Sequence, residues 1–393
     1  MTQITFRELA DEERLAVMYR LNSYAFHASP PLSDEAAWRE RVKYRQGVAY
    51  WAVFEDDQPV AGAAGRAMTQ QARGKLYPMS GIWAVATIPA ARRKGYCRQV
   101  MARLLASLRD QGAVFSCLYP FRESFYERLG YVAFPQERLV KFSPAALLPL
   151  LKQKQSGECV PMLIADGIAI YQNQLRQLRQ RIHGMALFDD EPHITQSTTW
   201  LLLAKVNGEI AGFMLYALRG EHPTQFTMNV YRFYYHTGQG RYLLLEWLAR
   251  HVDQAKMVEI TLPAFELPET WLADLEIRSE TIAMPPPMGR VLDVAKIGGM
   301  TTGAGHFSAR VVDPLCPWNE GNWRFETVDG VLQVETAQQA DCELSIQALS
   351  ALVYGAHDPG DFSCRGWGNP SPELQAVLRT MFPPRLPYLH EMF

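Results

Sequence analysis

Apolar positions in this chain follow two periods, and the switches between them mark out its elements. ITFREL, YWAVFED, PVAGAAGRAMTQ and GIWAVATI read as strands, the middle two turning at Asp56–Asp57. A helix is expected after the first strand, with Asp11 as N-cap, Glu12 and Glu13 in its first turn, and Leu15, Met18 and Asn22 on one face. After Pro89 the period lengthens. Val100, Met101, Leu104, Leu105 and Leu108 form a helical stripe closed by Gly112. Strand AVFSCLYP, helix FRESFYERLG and the segment YVAFPQERLVKF complete a first α/β or α+β block, residues 1–150.

LLPLLKQKQSGECVP reads as a linker into a second block, residues 151–285. There the order is helix (IYQNQLRQLRQRIHG), hairpin turning at Asn207-Gly208, strand (QFTMNVYRFYY) and helix (RYLLLEWLARHVDQ). That order echoes the first block without repeating its sequence, as a diverged internal duplication would. The breaker MPPPMGR opens a third block, residues 286–393. It holds a hairpin turning at Asp329-Gly330, then a strand running into a helix, ADCELSIQALSALVYG. The chain ends PPRLPYLHEMF, too apolar for a frayed tail, so a docked C-terminus is expected.

Composition narrows the class. The chain has 393 residues, 48% hydrophobic and 20% charged, with net charge −2, which excludes general disorder and fits two or three domains. No apolar run is long enough for a membrane span, and the N-terminus lacks the order of a signal peptide. Cys97, Cys117, Cys159, Cys316, Cys342 and Cys364 lie far apart, without CxxC or a Cys/His metal spacing. Reduced thiols, no metal and a cytoplasmic location are the expectation. Charge is uneven: residues 1–150 carry 20 Lys+Arg against 14 Asp+Glu, whereas the later blocks are net acidic. An anionic ligand is therefore expected on the first block. No basic groove-reading helix suggests nucleic acid.

The segment Val85 to Cys97 is the most informative. A strand ends at Pro89 and feeds a helix opened by Arg92-Arg93-Lys94-Gly95-Tyr96, a short basic turn containing glycine. Such a turn leaves backbone N–H groups free at a helix N-terminus, where a phosphate chain can be held. A surface connection with solvated arginines would look the same. No P-loop and no GxGxxG at the first strand competes with it.

Arg92-x-x-Gly95-x-Cys97 resembles the pyrophosphate motif of GNAT acetyltransferases, with Cys97 where a smaller residue is usual. The run Phe125-Tyr126-Glu127-Arg128-Leu129-Gly130-Tyr131 resembles the FYxxxGF/Y segment of that superfamily, in the expected order. Over its full length the chain resembles the Eis-like (enhanced intracellular survival) acetyltransferases. The resemblance implies an α+β architecture: tandem GNAT domains, the second degenerate, followed by a sterol-carrier-protein-like domain. The second block has only Thr237-Gly238-Gln239-Gly240-Arg241 at the motif position, so one cofactor site per chain is expected.

The resemblance further implies acetyl-CoA as cosubstrate, held by Val85 and Arg92 to Arg98, with the pantetheine arm along Ile82 to Ala86. Tyr126 matches the tyrosine that protonates the departing thiolate. A phenol stays protonated at neutral pH and can donate. The terminal carboxylate of Phe393 is implied near the acceptor amine, with Glu391 as the alternative for receiving its proton. Phe26, Trp38, Trp83 and Glu391 are candidates for the acceptor pocket; the three aromatics read equally as core. The acceptor class implied is a primary amine of a small polycationic molecule, aminoglycoside-like, or a lysine side chain. Homo-oligomers, often hexamers, go with such proteins. A competing reading is a non-catalytic lipid or apolar-ligand binder using the third block.

Overall fold

The computed structural model describes residues 2–27, 34–43, 47–153, 155–189, 199–282 and 284–393. In chain order the first elements are β1 (Ile4–Glu8), α1 (Asp11–His27), α2 (Glu35–Lys43), β2 (Val48–Glu55), β3 (Gln58–Ala72) and β4 (Lys75–Thr87). They continue with α3 (Tyr96–Asp110), β5 (Phe115–Leu118), α4 (Glu123–Glu127), β6 (Val132–Ala133) and β7 (Arg138–Phe142). Next come α5 (Leu148–Leu151), β8 (Glu158–Leu163), α6 (Ile164–Arg179), β9 (Ala186–Phe188), β10 (Trp200–Val206) and β11 (Glu209–Arg219). Then follow β12 (Phe226–Tyr235), α7 (Gly238–Ala249), β13 (Ala255–Leu262), β14 (Arg278–Thr281) and β15 (Met288–Val291). The last are β16 (His306–Val312), β17 (Gly321–Val328), β18 (Val331–Thr336), β19 (Cys342–Ser345), α8 (Ile346–Tyr354), α9 (Phe362–Arg365) and α10 (Pro372–Met381).

Two compact units form from this order. One comprises residues 1–134, 179–191 and 285–393; the other, 135–178 and 192–284. The expected divisions after 150 and 285 therefore differ from the observed ones. Pro135 interrupts YVAFPQERLVKF, so β6 joins the sheet of the first unit and β7 that of the second. The expected linker is structured too: Leu147 and Leu150 are buried in the second unit's core, and Glu158–Leu163 is its edge strand.

The first unit holds a sheet of order β1-β2-β3-β4-β5-β15-β6, with β9 on β3 beyond the end of β2. All neighbours are antiparallel except β4 and β5. Helix α3 buries its stripe of Val100, Met101, Leu104, Leu105 and Leu108 with Ile82 and Ala63 of the sheet. Leu15, Met18 and Leu21 of α1 pack with Trp38, Val42, Tyr50 and Ala84 in a separate cluster. Asp11 is the first residue of α1 rather than its cap; the Ala10 carbonyl accepts the first helical bond, from Arg14 N–H at 3.1 Å.

A four-stranded sheet, β18-β17-β16-β19, lies with α8 and α10 in the same unit and shares a core with the first sheet. Arg290 of β15 is fully buried; it pairs with Asp313 and donates to the Leu129 carbonyl. Gly130 makes that possible, since a Cβ there would stand 2.8 Å from the Arg290 guanidinium, at φ +92°. The glycine of FYERLGY is thus explained by packing. Both expected hairpins form, with Asn207, Gly208, Asp329 and Gly330 at positive φ.

The second unit has one sheet, order β14-β7-β13-β12-β11-β10-β8, over which α7 packs Leu243, Leu244, Leu245 and Leu248.

Candidate active site

Strands β4 and β5 run parallel from Met79↔Phe115 to Ile82↔Leu118, where β5 stops. Strand β4 continues to Thr87, held by β3 on its other edge. Beyond Ile82, backbone groups on the β5 side therefore face a gap rather than a neighbouring strand. The register with β3 slips between Gly62 and Ala64, and Ala84 sits at φ +53°. A bulge of this kind twists the strand and re-aims its edge.

The turn after β4 follows from its sequence. Pro89 starts a single 3₁₀ turn, Arg92 is extended, Arg93 has φ +64°, and Gly95 caps α3 at φ +80°. No side chain caps this helix. Its first N–H groups therefore remain available, with the positive end of the dipole behind them. A Cβ on Gly95 would meet only Gln99 Nε2, at 4.0 Å, so the space beside the turn is open.

The basic side chains divide. Lys94 Nζ and Tyr96 Oη lie 2.8 and 2.6 Å from Glu55 Oε1 on β2. These two contacts hold the Glu55 carboxyl below its ordinary range. Arg92 donates to the Thr87 carbonyl and Arg98 to that of Pro314. Arg93 is exposed, and Val85 and Cys97 are half-buried against the α3 core. Burial pushes the Cys97 thiol up to about 12, so it stays protonated.

Tyr126 is buried in α4, within a cluster of Phe121, Phe125 and Tyr131 rings at centroid distances of 5.1–6.1 Å. Burial raises its pKa well above the ordinary phenol value, and the neighbouring Cys97 and Tyr131 add to the shift. A phenol so placed is a proton donor across the whole neutral range. Tyr126 belongs to the core cluster against which Tyr96 and Cys97 of the first turn of α3 pack.

The tail of the chain docks near the start of the gap, against Gly81 and Tyr119. Tyr388 and Leu389 are buried, while Leu386 and Met392 are exposed, so the tail docks by alternate residues rather than throughout. The Phe393 ring lies over Gly81 of β4, where a Cβ would stand 3.0 Å from it. Trp83, two residues on, shares that face of the strand. Glu391, two residues before Phe393, is half-buried. Phe26 is exposed at the end of α1, whereas Trp38 is buried against Tyr19 in the core, an environment that suits packing rather than a pocket wall.

Sequence reasoning passed over Glu55, Gly81 and Tyr119, and took Ala84 only as one residue of the run Ile82 to Ala86, without its left-handed backbone. Gly81 carried a signal, because a glycine inside a strand often marks a close approach. Ala84 carried none.

Two family models match the chain. The model of the acetyltransferase (GNAT) domain matches residues 5–134, and that of the sterol carrier protein domain matches residues 300–390. The chain carries a GNAT acetyltransferase domain. No curated protein matches the sequence. Among solved structures, a GCN5-related N-acetyltransferase from Anabaena variabilis is 16% identical at TM-score 0.83, covering all of both chains. A probable N-acyltransferase from Enterococcus faecalis V583 (19%, TM-score 0.85) and Eis1 from Mycobacterium abscessus (16%, TM-score 0.75) also cover both chains completely. The fold is thus shared with these proteins over the full length of the chain. Among the described residues no helix is long and apolar enough to cross a membrane.

Proposed function

We propose that the GNAT domain transfers acetyl from acetyl-CoA to a primary amine, on a small polycationic molecule or a lysine side chain. Acetyl transfer is the chemistry of the domain; the cosubstrate's seat and the acceptor class are our reading. The observation that carries it is the uncapped start of α3, entered through Arg93 and Gly95 at positive φ, at the end of a strand whose free edge borders a gap.

The residues fit a pyrophosphate. The N–H groups from Arg93 to Arg98 supply donors at a helix N-terminus, the open side of Gly95 admits close approach, and Arg92 or Arg93 can reach a phosphate oxygen. Bound there, acetyl-CoA supplies the activated acetyl group. The free edge of β4 past Ile82 offers N–H donors to a developing oxyanion, in a setting that needs no reorganisation. Tyr126 holds a proton for the departing sulfur. We assign to the Phe393 carboxylate, at the end of a tail whose last ring lies against Gly81 of β4, the task of orienting the amine and receiving its proton, directly or through water. With a reference pKa near 3.5 it is a weak base, so orientation is its larger part.

Thermal denaturation with acetyl-CoA tests the cosubstrate. At ~100 Kd a ligand of the folded state stabilises by ~2.7 kcal/mol. A rise in Tm is expected, and its absence would favour an apolar-ligand binder instead. A chain extended by two glycines tests the tail: kcat should fall by ~10²–10⁴ with acetyl-CoA affinity intact, whereas Glu391→Gln should fall less. Full kcat in the extended chain would reject the terminal carboxylate.

A further inference from the structure

A chain terminus has no covalent restraint beyond its last peptide bond, so a carboxylate with a catalytic task needs outside support. Three contacts give the tail that support. The Tyr388 N–H donates to the His183 carbonyl at 2.9 Å. Gly184 lets the chains approach, since a Cβ there would lie 2.7 Å from Pro387 and from the Tyr388 nitrogen. The Phe393 ring then sits between Gly81, Met68, Phe188 and Tyr119, with ring centroids 6.2 Å from Phe188 and 5.6 Å from Tyr119. Phe188 is itself held by β9 pairing on β3 and by the Arg66 guanidinium 3.8 Å above its ring.

Tyr119 differs from the others because it grips both backbone and side chain of the last residues. Its hydroxyl donates to the Glu391 carbonyl at 3.1 Å, with the Leu389 carbonyl at 3.4 Å, while its ring meets that of Phe393 edge-on. It stands one residue beyond Leu118, where β5 leaves β4, so it belongs to the wall of the gap itself. An apolar ring would pack there equally well. The hydroxyl adds register: it fixes how far along β4 the final three residues lie.

We infer that Tyr119 is a positioning residue of the acceptor site, its hydroxyl setting the place of the terminal carboxylate at the gap. This rests on the reading that the Phe393 carboxylate serves the acceptor amine. Displacements of ~1 Å in a reacting group can cost ~10²-fold in rate, so a hydrogen bond that sets register has kinetic weight beyond its stability. A purely packing role predicts a small loss of Tm and unchanged kcat.

The test uses the full-length enzyme and a simple amine acceptor. Tyr119→Phe should lower kcat about tenfold, leave KM for acetyl-CoA unchanged and shift the acid limb of the kcat–pH profile. Gly81→Ala, which pushes on the Phe393 ring without touching the hydroxyl, should do the same by a different route. In the chain extended by two glycines, Tyr119→Phe should cause no further loss, because the carboxylate is already displaced. Unchanged kcat in Tyr119→Phe, alongside loss in the extended chain, would overturn the inference and leave the tail reading standing. Losses that multiply in the combined variant would also overturn it, since Tyr119 would then act independently of the tail. Full activity in the extended chain would remove the reading beneath both.

Discussion

Helices α3 and α7 enter their units in the same way, each following a long strand that pairs in parallel with the next. Their first turns are opposites. At α3 no side chain caps the helix, Arg93 and Gly95 are left-handed, and the space beside Gly95 is open. At α7, Thr237 accepts a hydrogen bond from the Gly240 N–H at 3.1 Å, so the helix caps itself. Gly240 is pressed onto β11, where a Cβ would stand 1.9 Å from the Ala211 carbonyl oxygen. Arg241 is spent locally as well: it donates to the Tyr235 hydroxyl and lies over the Tyr242 and Trp271 rings, while Tyr235 bonds Glu266. The frame of strand, turn and helix is therefore not what makes an anion site. Free donors and an open approach do, and the second unit has exchanged them for internal contacts.

The largest effect separating the two units should come from their tyrosines. Tyr126→Phe is expected to lower kcat by ~10²–10⁴ with acetyl-CoA affinity nearly unchanged, while Tyr235→Phe leaves kcat alone; steady-state kinetics and calorimetric binding on both variants check this. Next in size is Gly240→Ala, which overpacks α7 on β11 and should cost on the order of 3 kcal/mol in a denaturant titration. Its counterpart Gly95→Ala forces an alanine into left-handed backbone at about 1–2 kcal/mol, and should raise the Kd for acetyl-CoA more than it lowers Tm. The smallest is Thr237→Ala, about 1 kcal/mol of stability. Uncapping α7 alone should not create a second site, so binding stoichiometry should stay at one per chain.

A pH experiment sharpens the comparison from the first unit's side. His183 is buried, and its pKa is lowered to about 3, chiefly by burial and also by Arg73, with Arg385 adding repulsion and the bond to the Tyr354 carbonyl opposing. Its Nδ1 accepts the Arg73 backbone N–H at 3.1 Å, so the neutral ring is the one the fold uses. Between the unfolded value near 6.5 and the folded value, the unfolded chain binds the extra proton. Stability is then full above pH ~6.5 and falls as pH drops toward 3, by at most ~1.4 kcal/mol per pH unit. Denaturant midpoints at pH 7 and 5 should show that loss, and His183→Gln should flatten it. An unchanged slope in the variant would assign the acid sensitivity elsewhere.

Much of the fold was legible because its signals are local. The α3 stripe, the acidic turn at Asp56–Asp57 and the Asn207-Gly208 and Asp329-Gly330 hairpins each depend on a few neighbouring residues. The basic turn and FYERLGY could be read for the same reason. What local signals do not carry is partner choice. Alternation in ERLVKF says that the segment is a strand, not that it pairs with Val258–Leu262 rather than with its neighbour in sequence. Tyr119 looked like one more aromatic at a strand end, since nothing nearby encodes a bond to residues roughly 270 positions later. Trp38 and Trp83 had equal claims from sequence, and only burial separates them.

Strand β15 carries a consequence for how the molecule is made. It fills the place between β5 and β6, yet it is synthesised roughly 170 residues after β5. Until then those two strands have exposed edges, and exposed edges invite pairing with other chains. Residues 1–134 are thus only part of a compact unit, which residues 179–191 and 285–393 complete. Pairing across such distance also slows folding, because the intervening chain must be ordered first. The sheet that carries the α3 turn is therefore complete only once residues 288–291 have been made.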